Sequence, residues 1–517
     1  MKNLRVSRIW VAIIVIIMFI GLGLAGCKKG PASTSPGEQT TPGATSTGKA
    51  AEGYPDLGGM KVRILIPNLE GTVEEAYEDS GVTGQRVIEM VQEIQANYNC
   101  TIEYVGGVGN QAWEKLFTSI LTGNPLADVS RADYWVVVQS VEKGGLYAVL
   151  NDYDYILDLD SNELWDQTLI DDFYTIDGMT FAAEAPKYGI ELVYGGAVCF
   201  FNKSMLEREG LWNKYNLYEM QRNKTWTWDV MDEIGYTVTK DRDGDGTLDQ
   251  FGLIYKYTIT HMGFNASNTN KVSGWGWYEV DADGVPRFRG RDQDKLNLLH
   301  YFRDSGPKGR GWMRSFEWAD GEHEPGPVKY FAGGNCAFLV DHGNQIATIH
   351  ELEMQDTLGV VAMPLGPDNL NGDYNIARVY YNPWVIPRNA PDGEASAYIL
   401  KEISRPLYTE EEEEIGIEAV LASVIGDEVE IIETYKMLGR PERAVYNKET
   451  PFIATWAGVI ASYHGSFMSA IIENGFMPEE LNELYADQIQ TFINDYWNKV
   501  LEGAERLKKK RKEQGLD

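Results

Sequence analysis

Between positions 61 and 145 the sequence alternates short β-branched runs with longer segments whose apolar residues recur at helical spacing. The strand-like runs are 61–67, 100–105 and 127–132, and the helical patterns cover 85–98, 111–122 and 135–143. This order, βαβαβα, predicts a mainly parallel sheet sandwiched by helices. Ligands of such sheets bind beyond the carboxyl ends of the strands. Asp133, Tyr134 and Trp135 follow one such end, so we predict that they contact a ligand.

The first 26 residues have the pattern of an export signal. Lys2, Arg5 and Arg8 precede an unbroken apolar or small-residue run over 9–26, which is also long enough to be a membrane-spanning helix. Residues 24–27 read Leu-Ala-Gly-Cys, and small residues before a cysteine are typical of a lipoprotein cleavage site. We therefore predict a signal peptide over 1–26 and a lipid on Cys27.

Residues 27–58 contain almost no large apolar side chain except Tyr54 and Leu57. A segment of this composition buries too little surface to offset its ordering entropy, so we predict a flexible tether. A tether behind a lipid suggests a domain held near a membrane. A spacer before a wall-attached enzyme has the same composition.

Charge and length limit the remaining choices. Residues 1–26 carry three positive and no negative charges, so without them the formal charge moves from −31 to −34. This excess excludes nucleic acid as a partner and argues against electrostatic adhesion to an anionic membrane, which leaves the lipid as the anchor. The ordered part exceeds the usual single-domain size, so two domains are expected. Cys100, Cys199 and Cys336 are widely spaced and fit buried core residues better than a disulfide framework or a metal site.

Several segments occur in a distinctive order along the chain. They are TGNPLADVSRADYW, GGLYAVLND, GGAVCFFNKSMLEREGL, TWTWDVMDEI, DRDGDGTLDQFGL, YFAGGNCAFLVDHGN, LGVVAMPLGP and NPWVIPRNAPDGEASAYILKEIS. In order and spacing the chain resembles, over nearly all of 60–517, the extracellular solute-binding proteins of ABC importers. That family includes the maltose-binding and alginate-oligosaccharide-binding proteins.

The resemblance implies an α/β, two-lobe fold like that of the periplasmic binding proteins. Each lobe would be a mainly parallel sheet flanked by helices, with the ligand cleft between the lobes. Lobe one would comprise 57–198 and 378–450, lobe two 199–377, and late helices over 451–517 would bridge both. The implied function is that of a monomeric, lipid-anchored, extracytoplasmic receptor, which binds an oligosaccharide and delivers it to the permease subunits of an ABC transporter.

Sugar sites combine aromatic platforms with planar polar groups, and the chain has 14 Trp and 29 Tyr. We expect Trp113, Trp226 and Trp228 to be core residues, with Thr227 as a helix N-cap. The predicted ligand contacts are Asp133, Tyr134, Trp135, Trp275, Trp277, His342, Asn344, Tyr381, Asn382, Trp384 and Trp456.

Among these contacts, Trp135 and Trp275 are the expected stacking platforms, and Asp133, Asn344 and Asn382 are the expected partners of paired hydroxyls. A uronic-acid ligand would need a compensating cation. Arg131, Lys187 and Arg378 lie near the segments assigned to the cleft, although none is compelling.

An acidic loop in the second predicted lobe has the spacing of a calcium site. Carboxylates stand at loop positions 1, 3, 5 and 9, and a threonine carbonyl is available at position 7; the residues are Asp241, Asp243, Asp245, Thr247 and Asp249. Position 12 is Gly252 instead of a bidentate glutamate. Structural calcium is the expectation, and a solvated acidic turn is the alternative.

Two other functions fit parts of the sequence. A secreted, lipid-anchored glycoside hydrolase or lyase would share the anchor, the aromatic residues and the acidic loop, and hydrolysis needs only two facing carboxylates. However, the sequence contains no nucleophile elbow, HExxH motif or phosphate-binding loop, so we predict that the protein is not an enzyme. A binding protein for a peptide or another polar solute would have the same fold.

Overall fold

The structure is a computed structural model that describes residues 49–77, 81–107, 111–255, 257–269, 276–280, 285–315, 326–378, 382–407, 410–425, 428–446 and 470–516. These residues form two compact units. The first comprises the described residues up to Ala132 together with Val385–Ile403, and the second comprises Asp133–Trp384 and the residues from Ser404 onward. The predicted boundaries between lobe one and lobe two lie at other positions, after residue 198 and after residue 377. That division into lobes stays a prediction.

The strands are short and distributed over the whole described chain. They are β1 (Met60–Leu65), β2 (Glu70–Gly71), β3 (Cys100–Val105), β4 (Val129–Arg131), β5 (Thr175–Ile176), β6 (Met179–Thr180), β7 (Ala197–Asn202), β8 (Phe251–Tyr255), β9 (Tyr278–Val280), β10 (Pro286–Phe288), β11 (Met313–Ser315), β12 (Cys336–His342), β13 (Leu358–Val361), β14 (Ile376–Arg378), β15 (Trp384–Val385) and β16 (Ala444–Tyr446).

The α-helices alternate with these strands. They are α1 (Val73–Ala76), α2 (Gly81–Tyr98), α3 (Gln111–Thr122), α4 (Tyr134–Glu142), α5 (Asp154–Leu157), α6 (Gln167–Leu169), α7 (Gly189–Gly195), α8 (Lys203–Arg208), α9 (Leu217–Arg222), α10 (Trp228–Val238), α11 (Tyr257–Ser267), α12 (Gln293–Ser305), α13 (Gly326–Ala332), α14 (Gln345–Glu351), α15 (Gly393–Ile403), α16 (Glu410–Ile425), α17 (Val429–Leu438) and α18 (Pro478–Glu513). In the part of the chain that the structure describes, no helix is both long enough and apolar enough to cross a bilayer.

The sheet of the first unit has the strand order β15-β4-β1-β3-β2, and β1 pairs in parallel with both β3 and β4. The predicted alternation of strands and helices in this region is confirmed. The side chain of Arg63 donates from Nε and Nη2 to the buried carboxylate of Asp128, at 3.0 Å in both cases. Trp113 is a core residue as expected, and its indole N–H donates to the carbonyl of Arg131 at 3.1 Å.

The end of the predicted tether belongs to the first unit. The amide of Ala51 donates to the carbonyl of Asn97 and that of Leu57 to the carbonyl of Tyr98, both at 2.9 Å. The ring of Tyr54 packs edge-on against Tyr98 with centroids 5.1 Å apart. Tyr54 and Leu57 are the exceptions to the polar composition of the segment, and their contacts explain why the fold begins before the predicted tether ends.

The sheet of the second unit has the order β11-β8-β12-β7-β13. Strand β8 is parallel to β11 and β12, whereas β7 is antiparallel to both of its neighbours, β12 and β13. Four strands therefore run in one direction, and the reversed strand is β7. Every residue of β7 is buried, as expected for a strand covered on both faces.

The tryptophans expected in the core of this unit are buried. Trp226 donates from its indole to the carbonyl of Ala362 at 2.9 Å, and Trp228 donates to the hydroxyl of Ser267 at 3.2 Å. Thr227 occupies the N-cap position of α10, although its side chain makes no capping hydrogen bond. Both indole N–H groups are thus satisfied, which allows the rings to be buried without loss of a hydrogen bond.

Cys100, Cys199 and Cys336 are buried and free, which confirms their prediction as core residues. Burial raises the pKa of the Cys100 thiol to about 11. Burial also raises the pKa of Cys336 to about 12, against the opposing hydrogen bond from the backbone of Ile254. These thiols are therefore protonated at neutral pH and are poor nucleophiles.

Candidate functional site

The loop that follows β12 lies at the carboxyl edge of the second sheet. His342 is the register partner of Ala197, so the start of β7 lies at the same edge. The His342 Nδ1 atom lies 3.1 Å from the carbonyl oxygen of Gly195, an acceptor, and this nitrogen therefore carries the proton of the bond. Asn344 is exposed and begins α14. Two predicted contacts thus lie together where ligands of α/β sheets bind.

The same loop is held from the other side by α7 and α17. The amide of Gly343 donates to the carbonyl of Gly196 at 3.1 Å. The hydroxyl of Tyr435 donates to the carbonyl of Gly343 at 2.7 Å, and Tyr435 is fully buried. The backbone between His342 and Asn344 is therefore fixed by two hydrogen bonds, and the positions of both side chains depend on it.

A second group of predicted contacts lies beside residues 183–184. Trp384 pairs with Ala183 in an antiparallel bridge, with N–O distances of 2.8 and 3.1 Å, and its side chain is buried. The amide of Asn382 donates to Oε2 of Glu184 at 3.2 Å. The structure thus brings Asn382 and Trp384 together with Glu184, a residue that the sequence analysis did not single out.

Glu184 belongs to a buried charge cluster centred on Arg378. Arg378 Nη1 lies 2.6 Å from Oδ2 of Asp166, and Nη2 lies 3.0 Å from Oε1 of Glu184. The side chains of Arg378, Asp166 and Glu184 are 3%, 6% and 2% exposed. One guanidinium carries a single positive charge and therefore neutralises the two carboxylates only in part. Buried carboxylates are stable only when further hydrogen-bond donors satisfy their oxygen atoms.

Two tyrosine hydroxyls and a backbone amide donate the further hydrogen bonds to these carboxylates. Tyr446 donates to Oδ2 of Asp166 at 2.7 Å, and Tyr174 donates to Oε2 of Glu184 at 2.8 Å. The other oxygen of Asp166, Oδ1, accepts from the amide of Leu169 at 3.2 Å, which caps α6. The guanidinium of Arg378 also lies over the ring of Tyr446, 5.5 Å from its centroid.

The pKa directions in this cluster agree with the geometry. Burial opposes the charged form of Arg378, but attraction to Glu184 and Asp166 outweighs burial and raises the pKa of the guanidinium. Burial and the nearby Glu184 carboxylate raise the pKa of Tyr174 well above its ordinary value. Burial and the Asp166 carboxylate do the same for Tyr446. At neutral pH both phenols are therefore protonated and can donate.

The cluster and the loop after β12 are close to each other. Arg378 is the last residue of β14 and is the register partner of Tyr446 in β16. Ile376 of the same strand packs against Gly196 so closely that a Cβ there would lie 2.3 Å from Cγ1 of Ile376. A side chain at position 196 would therefore displace β14, the strand that carries Arg378.

Two cations considered for an acidic sugar already have internal partners. Arg378 is paired with two carboxylates inside the protein, as described above. Lys187 Nζ lies 3.5 Å from Glu184 and 3.2 Å from Glu191. Arg378 and Lys187 were considered because a uronic acid would need a compensating cation. Carboxylates of the protein already compensate the charge of both.

Trp277 is buried in an aromatic cluster. Its ring stacks on that of His261 with centroids 5.4 Å apart and an interplanar angle of 3°, and it also stacks against Phe288. The indole is 1% exposed. In this arrangement Trp277 packs the interior, and the side chain of Trp384 is also buried, at 5% exposure. Their contact with a ligand stays a prediction.

Other predicted positions cannot be placed fully. Cys27, Trp275, Tyr381 and Trp456 lie outside the described residues. Tyr134 and Trp135 begin α4, but their side chains are outside the described part. Asp133 is half-buried at the N-cap position of α4, where its side chain makes no capping hydrogen bond. These contacts remain predictions.

The acidic loop is closed at its base by an antiparallel bridge between Lys240 and Gln250. Carboxylate oxygens of Asp241, Asp243 and Asp249 lie within 4.8 Å of one another. The remaining predicted ligands, Asp245 and Thr247, are joined to each other, since the Thr247 amide donates to Oδ1 of Asp245 at 2.7 Å.

Backbone amides hold these carboxylates in place. Asp241 accepts from the amides of Gly246 at 2.7 Å and Gly244 at 2.6 Å, and these bonds lower its pKa. Both glycines have positive φ, 92° and 80°, which other residues rarely adopt. The loop thus presents three clustered carboxylates, a donor set suited to a hard cation such as Ca²⁺.

Sequence reasoning missed Asp166, Tyr174, Glu184 and Tyr446. Arg378 and Asp166 are 212 positions apart, and no local pattern links them. One signal was available in the stretch 179–186. Glu184 is its single charged residue, and the other residues are apolar or small, with Thr180 as the one further polar residue. A lone acid in such a stretch indicates a buried, paired carboxylate.

A comparison with protein families matches residues 89–410 to the model described as "Bacterial extracellular solute-binding protein". A comparison with curated proteins finds no match. Among solved structures, the cyclic α-maltosyl-1,6-maltose binding protein of Arthrobacter globiformis is similar at 17% identity and a TM-score of 0.54, over 86% of this chain and 99% of that one.

Two further structures are similar in fold. An ABC substrate-binding protein of Listeria monocytogenes in complex with cycloalternan has 15% identity and a TM-score of 0.53, over 84% of this chain and 99% of that chain. A solute-binding protein of Thermotoga lettingae bound with α-D-tagatose has 14% identity and a TM-score of 0.51, over 84% and 100%. At these identities the similarity establishes the two-lobe α/β fold.

Proposed function

Because the chain belongs to the bacterial extracellular solute-binding proteins, we propose that it is the lipid-anchored receptor of an ABC importer and that its ligand is an oligosaccharide. The family match over 89–410 carries this proposal, since it places the protein outside the cytoplasm and makes it a binding component. ATP hydrolysis then belongs to separate subunits, and the receptor delivers its ligand to the permease.

Three observations support a sugar as the ligand. The similar structures named above carry cycloalternan and tagatose or are named for binding a cyclic maltose derivative. The chain is rich in aromatic residues, at 12%, which suits stacking on the apolar faces of pyranose rings. His342 and Asn344, at the carboxyl edge of the second sheet, supply polar groups that engage hydroxyls.

A ligand that touches both lobes binds the closed state best and so shifts the population towards it. That differential affinity is the physical basis on which a transporter recognises the loaded receptor. No bond in the ligand is made or broken, and the proposed role for the protein is therefore binding without catalysis.

A thermal-shift screen of neutral and acidic oligosaccharides tests the ligand class. A ligand at about 100 times its Kd stabilises the protein by about 2.7 kcal/mol, which is a clear rise in Tm. We expect such a rise with at least one oligosaccharide and none with a panel of peptides. Stabilisation by peptides alone would overturn the sugar proposal and leave the receptor role intact.

We also propose that the acidic loop binds Ca²⁺ through Asp241, Asp243, Asp245, Asp249 and the carbonyl of Thr247. The clustered carboxylates of Asp241, Asp243 and Asp249 support this ligand set. The role is structural, since the ion would fix an exposed loop. We expect addition of Ca²⁺ to a chelator-treated protein to slow proteolysis within 241–249, and Asp243→Asn to abolish the effect. Equal cleavage with and without Ca²⁺ would contradict it.

The lipid on Cys27 is a further part of the proposal, supported by the signal-like sequence before it. Expression in a bacterial host with mass spectrometry of the mature N-terminus tests it. A diacylglyceryl cysteine at position 27 is expected. A mature chain that begins elsewhere, or that retains residues 1–26, would refute the anchor.

A further inference from the structure

The end of helix α18 carries an unusual concentration of positive charge. Residues 506–512 read RLKKKRK, with six cations and no acid, in a chain whose formal charge is −31. We call this segment the basic end of α18. The helix is 36 residues long and is anchored well before this point, since a Cβ at Gly503 would lie 2.1 Å from the carbonyl oxygen of Val141. The position of the basic end is therefore fixed by packing.

One face of the basic end attaches it to the second unit. Leu507 is 6% exposed and packs on Gly145. Lys508 pairs with Asp177 at 2.7 Å, and Arg511 pairs with the carboxylate of Asp152 through two bonds of 2.6 Å. Arg506 also docks, since its Nη2 donates to the carbonyl of Glu142 at 2.9 Å. These contacts use three of the six cations to dock the helix end, and they orient the remaining lysines.

The opposite face points away from the protein. Lys509, Lys510 and Lys512 are all exposed. Successive helix positions are 100° apart, so Lys509 and Lys512 lie about 160° and 140° around the helix from Leu507, and Lys510 lies about 60° from it, at the flank of the docked face. The exposed lysines thus extend from that flank to the side opposite Leu507. The result is a preoriented cationic surface, whose binding requires little further ordering of the backbone.

Nearby acids reduce this charge without cancelling it. Glu502, Glu505 and Glu513 lie on the same helix, and Arg506 lies 3.8 Å from Glu502. Asp152 and Asp177 are already paired as described. At physiological ionic strength the Debye length is about 8 Å, so the acidic surface elsewhere on the chain is screened from this site. The local charge, and not the net charge of −31, decides what binds here.

A purely internal role explains only part of the pattern. Cations in the last helical turn offset the helix dipole, an effect that is confined to that turn. Lys510, Arg511 and Lys512 lie in the last turn, but Lys509 does not. Dipole compensation predicts an effect of the lysines on helix stability and none on association with another surface.

We propose that the outward face of the basic end, formed by Lys509, Lys510 and Lys512, binds the anionic headgroups of a membrane surface. The occupant is argued from charge complementarity and from the proposed lipid at Cys27, which would keep the protein within reach of a bilayer. Each cation near an anionic bilayer contributes attraction of about 1 kcal/mol, and the proposed lipid would bring the basic end close enough to the surface for that attraction to act. The inference thus rests on the proposed anchoring, not on the proposed sugar ligand.

Vesicle co-sedimentation tests the inference without the lipid. The full processed chain with Cys27→Ser, produced without residues 1–26, is incubated with phosphatidylglycerol vesicles or with phosphatidylcholine vesicles. We expect binding to the first and not to the second, with affinity falling as salt is raised. The triple variant K509Q/K510Q/K512Q should lose about 100-fold in partition coefficient.

Two control variants make the result specific. K509R/K510R/K512R keeps the charge and should bind like the parent. K115Q/K308Q/K499Q removes three exposed lysines elsewhere and should also bind like the parent. Circular dichroism and Tm of each variant report on folding, and the salt series on the parent needs no variant at all. Absence of binding to phosphatidylglycerol, equal binding to both lipids, or an unchanged triple Gln variant would overturn the inference, whatever the outcome of the sugar screen.

Discussion

The buried cluster around Arg378 and the loop 241–249 are both rich in carboxylates, but they neutralise them in different ways. In the cluster, Asp166 and Glu184 are 6% and 2% exposed and face a guanidinium and two tyrosine hydroxyls. In the loop, Asp241 is partly exposed and accepts hydrogen bonds from the backbone amides of Gly244 and Gly246. Side chains compensate charge in one region, and the main chain and water do so in the other.

Acidic residues determine stability where they are buried. Burial removes water, so each partner lost from the cluster leaves a desolvated carboxylate. Solvent replaces a lost partner in the loop at small cost. The cluster should therefore act on the stability of the second unit, and the loop should act only on its own order and on cation binding.

The largest expected effect is that of removing Arg378. Arg378→Met leaves buried Asp166 without its cation and Glu184 with only Lys187 beside it, and should lower the free energy of unfolding by about 3–5 kcal/mol. The matched control is Arg291→Met, which breaks an exposed pair with Asp487 and should cost less than about 1 kcal/mol. Urea unfolding of both variants measures the difference. Equal midpoints would show that the cluster is not a stability determinant.

Removing a single hydroxyl from each region should have unequal effects on stability. Tyr174→Phe deletes the fully buried donor to Glu184 and should cost about 1.5–3 kcal/mol, as for hydrogen bonds to charged groups. Tyr330→Phe deletes a donor to the carbonyl of Asp249 at the base of the loop and should cost about 0.5–1.5 kcal/mol. Chemical denaturation measures the loss of unfolding free energy in each variant. A larger loss for Tyr330→Phe than for Tyr174→Phe would contradict the importance of the buried cluster for stability.

The smallest effect concerns the pH response of the loop. Hydrogen bonds from Gly246 and Gly244 lower the pKa of Asp241 below its ordinary value. A lowered pKa means that the ordered loop is favoured above the unfolded-state pKa and is lost as pH falls through the folded-state pKa. In the absence of Ca²⁺, the amide resonances of Gly244 and Gly246 in a ¹⁵N-glycine-labelled sample should titrate together, below the ordinary Asp pKa. Titration at the ordinary value would refute these hydrogen bonds.

The first unit shows how far local pattern predicts a fold. The helix predicted over 111–122 is Gln111–Thr122, and the strand over 100–105 is Cys100–Val105. Apolar periodicity sets these elements, because each buries one face against its sequence neighbours. The strand predicted over 61–67 ends earlier, at Leu65, and the predicted tether ends earlier because of Tyr54 and Leu57.

Features that depend on distant partners were not predictable in the same way. The Arg378 cluster joins four separate segments, and a charge at position 378 gives no local sign of its partners. Trp277 is one of the predicted ligand contacts, and its stacking on His261, which places it in the interior, was not visible in the local sequence. By contrast, the residues of the acidic loop are adjacent in sequence, and the clustering of three of its carboxylates followed from spacing alone.

Isothermal titration calorimetry, with analysis of the recovered ligand, tests whether the protein binds an oligosaccharide without cleaving it. The oligosaccharide that gives the largest thermal shift is titrated into the purified protein. We predict saturable one-to-one binding, with the sugar recovered intact after prolonged incubation. Failure of every oligosaccharide in the panel to bind, or recovery of cleaved products from substoichiometric protein, would contradict the assignment as a sugar receptor.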